Sequence, residues 1–368
     1  MKICFFFNYN PLYRLPIYQK LAETFDCDFF FGNNASQSIA KFASHELSKI
    51  KGFLRVKYIM HTPFFYYKGL KNLLRNDYDA YVITGEHFCL SLWILIIYTK
   101  LTGKRLYTWE HGLYEPVSKR WQKVYLGTLF KSLSGIFLYN TYSKKYLLEL
   151  GCEQSKIHVI HNSLNTNSQT SIYNNLSPSN IYEQHFNNSL PVIIYIGRIQ
   201  KRKKINQLIE AVYLLNSNSP KVNLIIVGGK DDDDDISIQV ETLHLNKNVW
   251  FYGPCYKEEL NAILLYNASV CVCPNGVGLT AIHSLSYGTP VISNDDYSHQ
   301  MPEFEAIINN VTGSFFKTDD VGDLAKHIEY WCNISQEERK RVRDIARSTI
   351  SQEWSVQYQI EVFKNSLL

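Results

Sequence analysis

The stretch SVCVCPNGVGLTAIHSLSYGTPVIS, Ser269 to Ser293, reads as a strand, a glycine loop, a helix and a second strand. Val270 to Cys273 form a short apolar run that Pro274 stops, the pattern of a strand buried in a parallel sheet. Gly276 and Gly278 bracket a tight loop. Without a Cβ they let the backbone approach a bound group, and the N–H groups of a helix beginning near Leu279 attract an anion. Gly288 and Pro290 end that helix, and Val291 starts the next strand. A two-glycine loop also suits a purely structural turn, so the rest of the chain decides between the two readings.

The same alternation runs outward in both directions. KICFFFNYN, DYDAYVITG, KRLYTWEHG, SGIFLYN and HVIHNS read as strands of a first half, with helices FCLSLWILIIYTKL and TYSKKYLLELG between them. In the second half PVIIYIGR, VNLIIVGG and NVWFYG read as strands, and INQLIEAVYLLN and ELNAILLYN as helices. Strands and helices in turn predict an α/β chain of doubly wound parallel sheets with helices on both faces. An Asn- and Ser-rich stretch, Ser163 to Leu190, has little apolar periodicity and reads as an interdomain connection. The expected domains are residues 1–165, a linker 166–190, a second domain 191–345, and a C-terminal helix 346–368 that can cross back to the first domain.

The chain has 368 residues, 45% hydrophobic and 20% charged, which is ample for a large core in two domains. Eight cysteines show no framework of spacings, and MKICFFF runs at once into Asn8, Tyr9, Asn10 and Pro11 with no signal-peptide pattern. The expectation is therefore reduced thiols in a cytosol. Cys271 and Cys273 share a strand face but lack further ligands at matching spacing, so they read as core packing, with no metal site. The longest apolar run, Phe88 to Tyr98, is 11 residues and too short to span a bilayer. Asp231 to Asp235 read as a solvated loop, since consecutive aspartates cannot all face one calcium ion.

The net charge of +4 hides an asymmetry. Residues 1–165 hold 21 Lys and Arg against 11 Asp and Glu, net +10, whereas the remainder holds 17 against 23, net −6. A basic half suits anionic lipid or a phosphorylated acceptor, although a solvated surface is the commoner reason for scattered lysines. VSKRWQKVYLGTLFK sets Trp121, Val124, Tyr125 and Leu129 at helical spacing among Lys119, Arg120, Lys123 and Lys131. It reads either as a helix resting on a membrane surface or as a core helix with a basic edge.

In YIGRIQKRKKINQLIEAV a strand is followed by Gly197, Arg198 and a run of cations ahead of a helix. Arg198 offers a planar fork and Lys203 a mobile point charge, a pair suited to a diphosphate. Taken in order, GR with Lys203 five residues on, IVGG, VWFYG, PNGVGL and YGTPVI resemble the retaining nucleotide-sugar glycosyltransferases of family four, from about Val192 to Gly313. Strand order and TWEHG carry a weaker likeness in the first half.

The resemblance implies two Rossmann-like domains facing across a cleft, the GT-B arrangement, with the donor on the second domain and the acceptor on the first. It implies metal-independent transfer without a cofactor. Arg198, Lys203, Gly276, Val277, Gly278, Leu279 and Thr280 would hold the donor. Where the family carries two glutamates, one by the donor sugar and one by the ribose, this chain has Asn275 and His283. Both can still hydrogen-bond hydroxyls. His111 matches a family histidine that faces the donor sugar and is implied to be catalytic, by hydrogen bonding, charge stabilisation or proton shuttling. Glu110 beside it is a lesser candidate, and Tyr13, Arg14, Pro16, Glu86 and His87 would shape the acceptor side.

The implied partners are a nucleotide diphosphate sugar and a glycan or lipid-linked glycan of surface polysaccharide, with peripheral membrane contact through the basic half and no nucleic acid. Two alternatives stay open: a catalytically silent nucleotide- or glycan-binding relative, and a sugar-nucleotide epimerase. A nicotinamide dehydrogenase is disfavoured because G-x-G-x-x-G does not follow the first strand.

Overall fold

Runs of β-branched and aromatic residues bounded by Gly, Asn and Pro build two sheets, each with its own core. The structure is a computed structural model describing residues 1–33, 39–74, 77–230 and 235–368. It divides into a first unit, Met1–Leu164 with Val356–Leu368, and a second unit, Asn165–Ser355.

The first unit carries strands β1 (Lys2–Phe7), β2 (Asp26–Gly32), β3 (Ile50–Tyr58), β4 (Phe65–Lys68), β5 (Ala80–Thr84), β6 (Arg105–Glu110), β7 (Gly135–Leu138) and β8 (Ile157–Val159). Their order is β4-β3-β2-β1-β5-β6-β7-β8, and only the β3–β4 pair is antiparallel. The chain lays strands to one side of β1, then returns to lay β5 against its other side, so the sheet has a topological switch point between β1 and β5. Because side chains alternate, Ile3, Phe5 and Phe7 pack into one core and Cys4 and Phe6 into the other.

The second unit carries β9 (Val192–Ile196), β10 (Asn223–Val227), β11 (Val249–Gly253), β12 (Val270–Val272), β13 (Val291–Asn294) and β14 (Gly313–Phe316). All pairs are parallel, in the order β11-β10-β9-β12-β13-β14. The switch point here lies between β9 and β12. The stretch from Ser269 to Ser293 is β12, a helix over Leu279–Ser286, and β13. Both cysteines of β12 and its boundary are buried, Cys271 at 0% and Cys273 at 2% exposure.

Three parts of the chain differ from the sequence expectation. The stretch 166–190 contains helices Thr166–Tyr173 and Ile181–Phe186 and belongs to the second unit. Asn165 caps the first by accepting from the Ser168 N–H, and buried Tyr182 and Phe186 anchor the second. Sparse apolar anchors hide such helices from a periodicity reading. The C-terminal stretch is two helices, Gln336–Glu353 and Val356–Leu367, and only the latter joins the first unit. Finally, β2, β3, β4 and β14 supplement the strands read from sequence. Of the acidic run, 231–234 lie outside the described residues, and Asp235 caps helix Ile236–Thr242.

The returning helix is bound by both polar and apolar contacts. Gln359 donates to the His161 carbonyl at 2.9 Å and accepts from Ser163 Oγ at 2.7 Å. Phe363 sits 4.6 Å from the ring of Phe137, 5.3 Å from Trp109 and 5.9 Å from Phe5, ring centre to ring centre. Its exposure is 0%. Phe363→Ala is expected to destabilise the first unit by about 3–5 kcal/mol through lost burial and a cavity. Urea unfolding followed by the near-ultraviolet signal checks this, and a loss below about 1 kcal/mol would show that the helix is dispensable to the core.

Candidate functional site

Each sheet delivers polar residues where its strands end. In the first unit the turns after β1, β5, β6 and β7 surround a cavity of about 150 Å³ lined by Asn8, Tyr13, Arg14, His87, Glu110, His111 and Tyr139, among others. This is the carboxyl edge at the switch point, where open α/β sheets bind ligands.

Glu110 ends β6 and is 3% exposed. One carboxylate oxygen, Oε2, pairs with His87 Nε2 at 2.9 Å, and the other, Oε1, is buried without a partner. Gly85 makes room for it, since a Cβ there would lie 2.2 Å from Glu110 Oε1. Burial alone would lower the His87 pKa, but its bond to Glu110 and the charge attraction raise it overall.

His111 follows immediately at the rim, its ring centre 4.8 Å from that of Tyr139 and tilted by 54° to it. It keeps an exposed edge, yet the withdrawal of the ring from water, and then repulsion from Arg14, push its pKa down to about 4. It is a neutral imidazole, able both to donate and to accept a hydrogen bond. Arg14 ends the turn Leu12–Arg14, and one of its amino groups donates to the Tyr139 hydroxyl. Tyr13 lines the same cavity. Pro16 instead sits at the start of helix Leu15–Thr24, where a missing N–H costs nothing. Glu86 does not line the cavity; Asn8 Nδ2 at 3.3 Å and the Tyr67 hydroxyl at 2.8 Å hold its carboxylate.

In the second unit the switch point brings the turn after β9 to the loop after β12. Lys203 donates to the Gly276 carbonyl, and Asn275 Nδ2 donates to the Arg202 carbonyl at 2.8 Å. Gly276 has φ +60°, a backbone conformation that side-chain-bearing residues rarely adopt. Arg198 follows Gly197 on an exposed turn, its carbonyl accepting from the Tyr195 hydroxyl at 2.6 Å. Thr280 Oγ1 bonds the Ile196 carbonyl at 3.0 Å and so ties the helix start to the end of β9. No side chain caps helix Leu279–Ser286, and of its first-turn N–H groups Ala281 donates to the Gly278 carbonyl at 2.8 Å, while the N–H groups of Leu279 and Thr280 precede the intrahelical ladder.

Two groups expected to face the donor are already engaged. The Val277 N–H donates to Gln300 Oε1 at 2.7 Å, and Val277 is fully buried, so its N–H is not available to a ligand. Asn275 accepts from Asn294 Nδ2 at 2.9 Å. Gln300 and Asn294 thus set the loop from beneath, Gln300 also donating to Ser293 Oγ at 2.9 Å and Asn294 Oδ1 at 2.8 Å.

His283 lies 3.0 Å from Glu258, whose Oε1 also accepts from the Tyr287 hydroxyl at 2.7 Å and Gln169 Nε2 at 3.0 Å. Burial would raise the Glu258 pKa, but His283 and the two neutral donors overcome it and hold the carboxyl down at about 2. Sequence reading missed Glu258, Gln300 and Asn294. All three act through folding partners 19 to 25 positions away or more, which no local motif signals. It also missed Glu303, a buried carboxylate whose Oε2 would lie 3.9 Å from a Cβ at Gly278. Among the described residues no group of three or more His, Cys, Asp and Glu stands close enough to hold a metal ion, and no helix is long and apolar enough to cross a membrane.

With this geometry in view, comparison with known proteins places the second unit. Residues 178–349 match the family model described as Glycosyl transferases group 1. A protein of the cps region of Klebsiella pneumoniae, uncharacterised and of 41.2 kDa, is 22% identical over 80% of this chain and 81% of its own length. The capsular polysaccharide biosynthesis glycosyltransferase CapM of Staphylococcus aureus is 28% identical over 43% of each chain. Among solved structures, Anabaena HepE in complex with UDP has a TM-score of 0.76 at 16% identity, covering 99% of both chains. A glycosyltransferase from Rickettsia africae has a TM-score of 0.75 at 17% identity, covering 100% of this chain and 98% of that one. The fold is thus two Rossmann-like α/β units of the GT-B kind, and the second unit carries a group 1 glycosyltransferase domain.

The His111 environment yields a direct test. A histidine whose folded pKa is lowered leaves stability intact above about pH 6.5, and stability falls between pH 6.5 and about 4 as the unfolded chain takes up the proton first. The His111 ring resonances are expected to stay neutral down to about pH 4. In Arg14→Gln the midpoint should move upward, and an unmoved midpoint would remove Arg14 as a contributor.

Proposed function

We propose that this chain is a glycosyltransferase that moves a sugar from a nucleotide diphosphate sugar to a glycan acceptor during assembly of a cell-surface polysaccharide. The observation that carries the reading is the meeting of Arg198, Lys203 and the Gly276–Gly278 loop at the β9–β12 switch point, with Lys203 seated on the Gly276 carbonyl. A fork, a point charge and an uncapped helix start together suit the diphosphate of a donor. The HepE structure with UDP and the capsule-region relatives support the same donor and pathway class.

In this reading Arg198, Lys203 and the N–H groups of Leu279 and Thr280 neutralise charge that develops on the departing nucleoside diphosphate. That stabilisation comes from fixed cations and dipoles, which fits metal-independent transfer. Gly276 and Gly278 allow the close approach. Asn275, tied at its oxygen and by one N–H, offers its remaining amide hydrogen to the donor sugar. His283, fixed through Nε2 by Glu258, offers Nδ1 toward ribose hydroxyls. Neutral His111 would hydrogen-bond a sugar hydroxyl and stabilise positive charge at the anomeric carbon, with Tyr13, Arg14 and the His87–Glu110 pair on the acceptor side and retention of configuration as the outcome.

Arg198→Ala and Lys203→Ala are each expected to weaken nucleoside diphosphate binding about 10- to 100-fold with an unchanged melting curve in the absence of ligand. Titration calorimetry with uridine, guanosine, adenosine and cytidine diphosphates reads this, and normal affinity in both variants would remove the diphosphate assignment. Product analysis separates the alternatives: binding without transfer identifies a binding-only relative, and a new nucleotide sugar formed without acceptor identifies an epimerase.

The first unit also presents an apolar, basic-rimmed surface that fits an anionic lipid headgroup layer. Ile94, Ile97 and Leu101 form a stripe along helix Leu90–Thr102, exposed by 47%, 59% and 82%. Trp121 and Val124 stand out on helix Arg120–Ser132, flanked by exposed Lys119, Arg120 and Lys123. The helices are joined by the Trp93 Nε1 bond to the Tyr125 hydroxyl at 2.9 Å. Apolar residues beside cations are the composition of a peripheral membrane contact. The protein is expected to float with phosphatidylglycerol-containing vesicles, to be released by salt, and to lose flotation in Ile97→Glu. Equal recovery with pure phosphatidylcholine vesicles, or none with either, would overturn the contact.

A further inference from the structure

Glu110 in the first unit's cavity is engaged by His87 at 2.9 Å, and burial and the Arg14 charge push the His111 pKa down to about 4. Arg14 remains. Its guanidinium carbon lies 5.1 Å from the ring centres of Trp109 and Tyr139 and 5.6 Å from that of Tyr13. These π faces screen the cation from water, yet its acceptor Tyr139 and its neighbour Tyr18 are neutral phenols, and among the described residues no carboxylate forms a salt bridge with it. Arg14 Nε is sealed from solvent and has no hydrogen-bond partner.

A secluded cation without a counter-anion is costly to fold around, and an unpaired buried N–H adds to that cost. The architecture nonetheless fixes it there: Arg14 is the last residue of a turn, directly ahead of a helix, and is clamped by Tyr139 from the end of β7. A planar guanidinium held among aromatic rings at the mouth of a cavity is the chemistry that recognises a carboxylate or a phosphate through paired N–H bonds.

We infer that this cavity is a subsite for an anionic glycan, in which Arg14 binds a carboxylate or phosphate group. The acceptor is then an acidic sugar or a sugar phosphate rather than a neutral one. That last step rests on reading the cavity as the acceptor side; the anion subsite itself does not.

Three probes test it on the full chain: methyl glucuronide for a carboxylate, glucose 1-phosphate for a phosphate, and methyl glucoside as the neutral counterpart. A charged probe is expected to bind about 10- to 100-fold more tightly than methyl glucoside. It should also raise the His111 titration midpoint, because the ligand anion offsets the Arg14 charge, and this places the binding beside His111. The tighter of the two charged probes identifies the group. Arg14→Gln should erase the preference, and Arg14→Lys should keep part of it, charge without fork. Equal affinity for all three probes, or charged binding that leaves the His111 midpoint unmoved, would overturn the inference in the unmodified protein, whatever the variants do. Nucleoside diphosphate affinity, measured alongside, reports on the second unit. Its loss with the anion preference intact would refute the transferase reading and leave the subsite standing.

Discussion

A parallel sheet covered by helices on both faces has nothing to offer solvent except the ends of its strands, and the first unit's cavity and the second unit's basic turn and glycine loop follow from that constraint. Interior strand positions such as Phe5, Phe7, Ile193 and Ile194 are spent on the two cores. Polarity is pushed to the residue at or just past each carboxyl end: Asn8, Gly85, Glu110, His111 and Tyr139 in one unit, Gly197, Arg198 and the loop from Pro274 in the other. Where the connections diverge between β1 and β5 the loops part and leave a hollow, and between β9 and β12 the basic turn meets the glycine loop. Cavity, basic turn and glycine loop are consequences of the winding rather than additions to it.

How much of this was legible depends on the range over which each interaction acts. The β12–helix–β13 unit is written in consecutive residues, with Pro274, the two glycines, Gly288 and Pro290 punctuating an apolar pattern, and its boundaries could be read directly. The cations after β9 were equally local. What set the orientation of the loop was not: Gln300 reaches Val277 from 23 residues away and Asn294 reaches Asn275 from 19. A single sequence names residues that suit a chemistry; it does not say which of their hydrogen-bonding groups the fold has already used. Val277 shows the difference, an ordinary loop residue by sequence and a sealed N–H in the structure.

The two positions where acids were expected carry this furthest. Asn275 is a cross-brace between the basic turn and β13, so the neutral amide has a mechanical use that a carboxylate facing the Arg202 carbonyl would not serve. His283 brings a carboxylate with it: Glu258, from the start of a different helix, is gripped by an imidazole, a phenol and an amide on one oxygen. The negative charge missing from position 283 has not left the neighbourhood but has moved one helix away.

The discontinuity of the first unit bears on how the protein is made. Phe363 and its helix lie in the same core as Phe5, Trp109 and Phe137, yet they are encoded after the entire second unit. A nascent chain can complete the 165–355 unit while the earlier sheet still shows an open aromatic face. The order of synthesis is therefore the reverse of the order of completion, and the unit that begins first finishes last. Chaperone dependence should accordingly concentrate in the interval between emergence of β7 and arrival of the final helix.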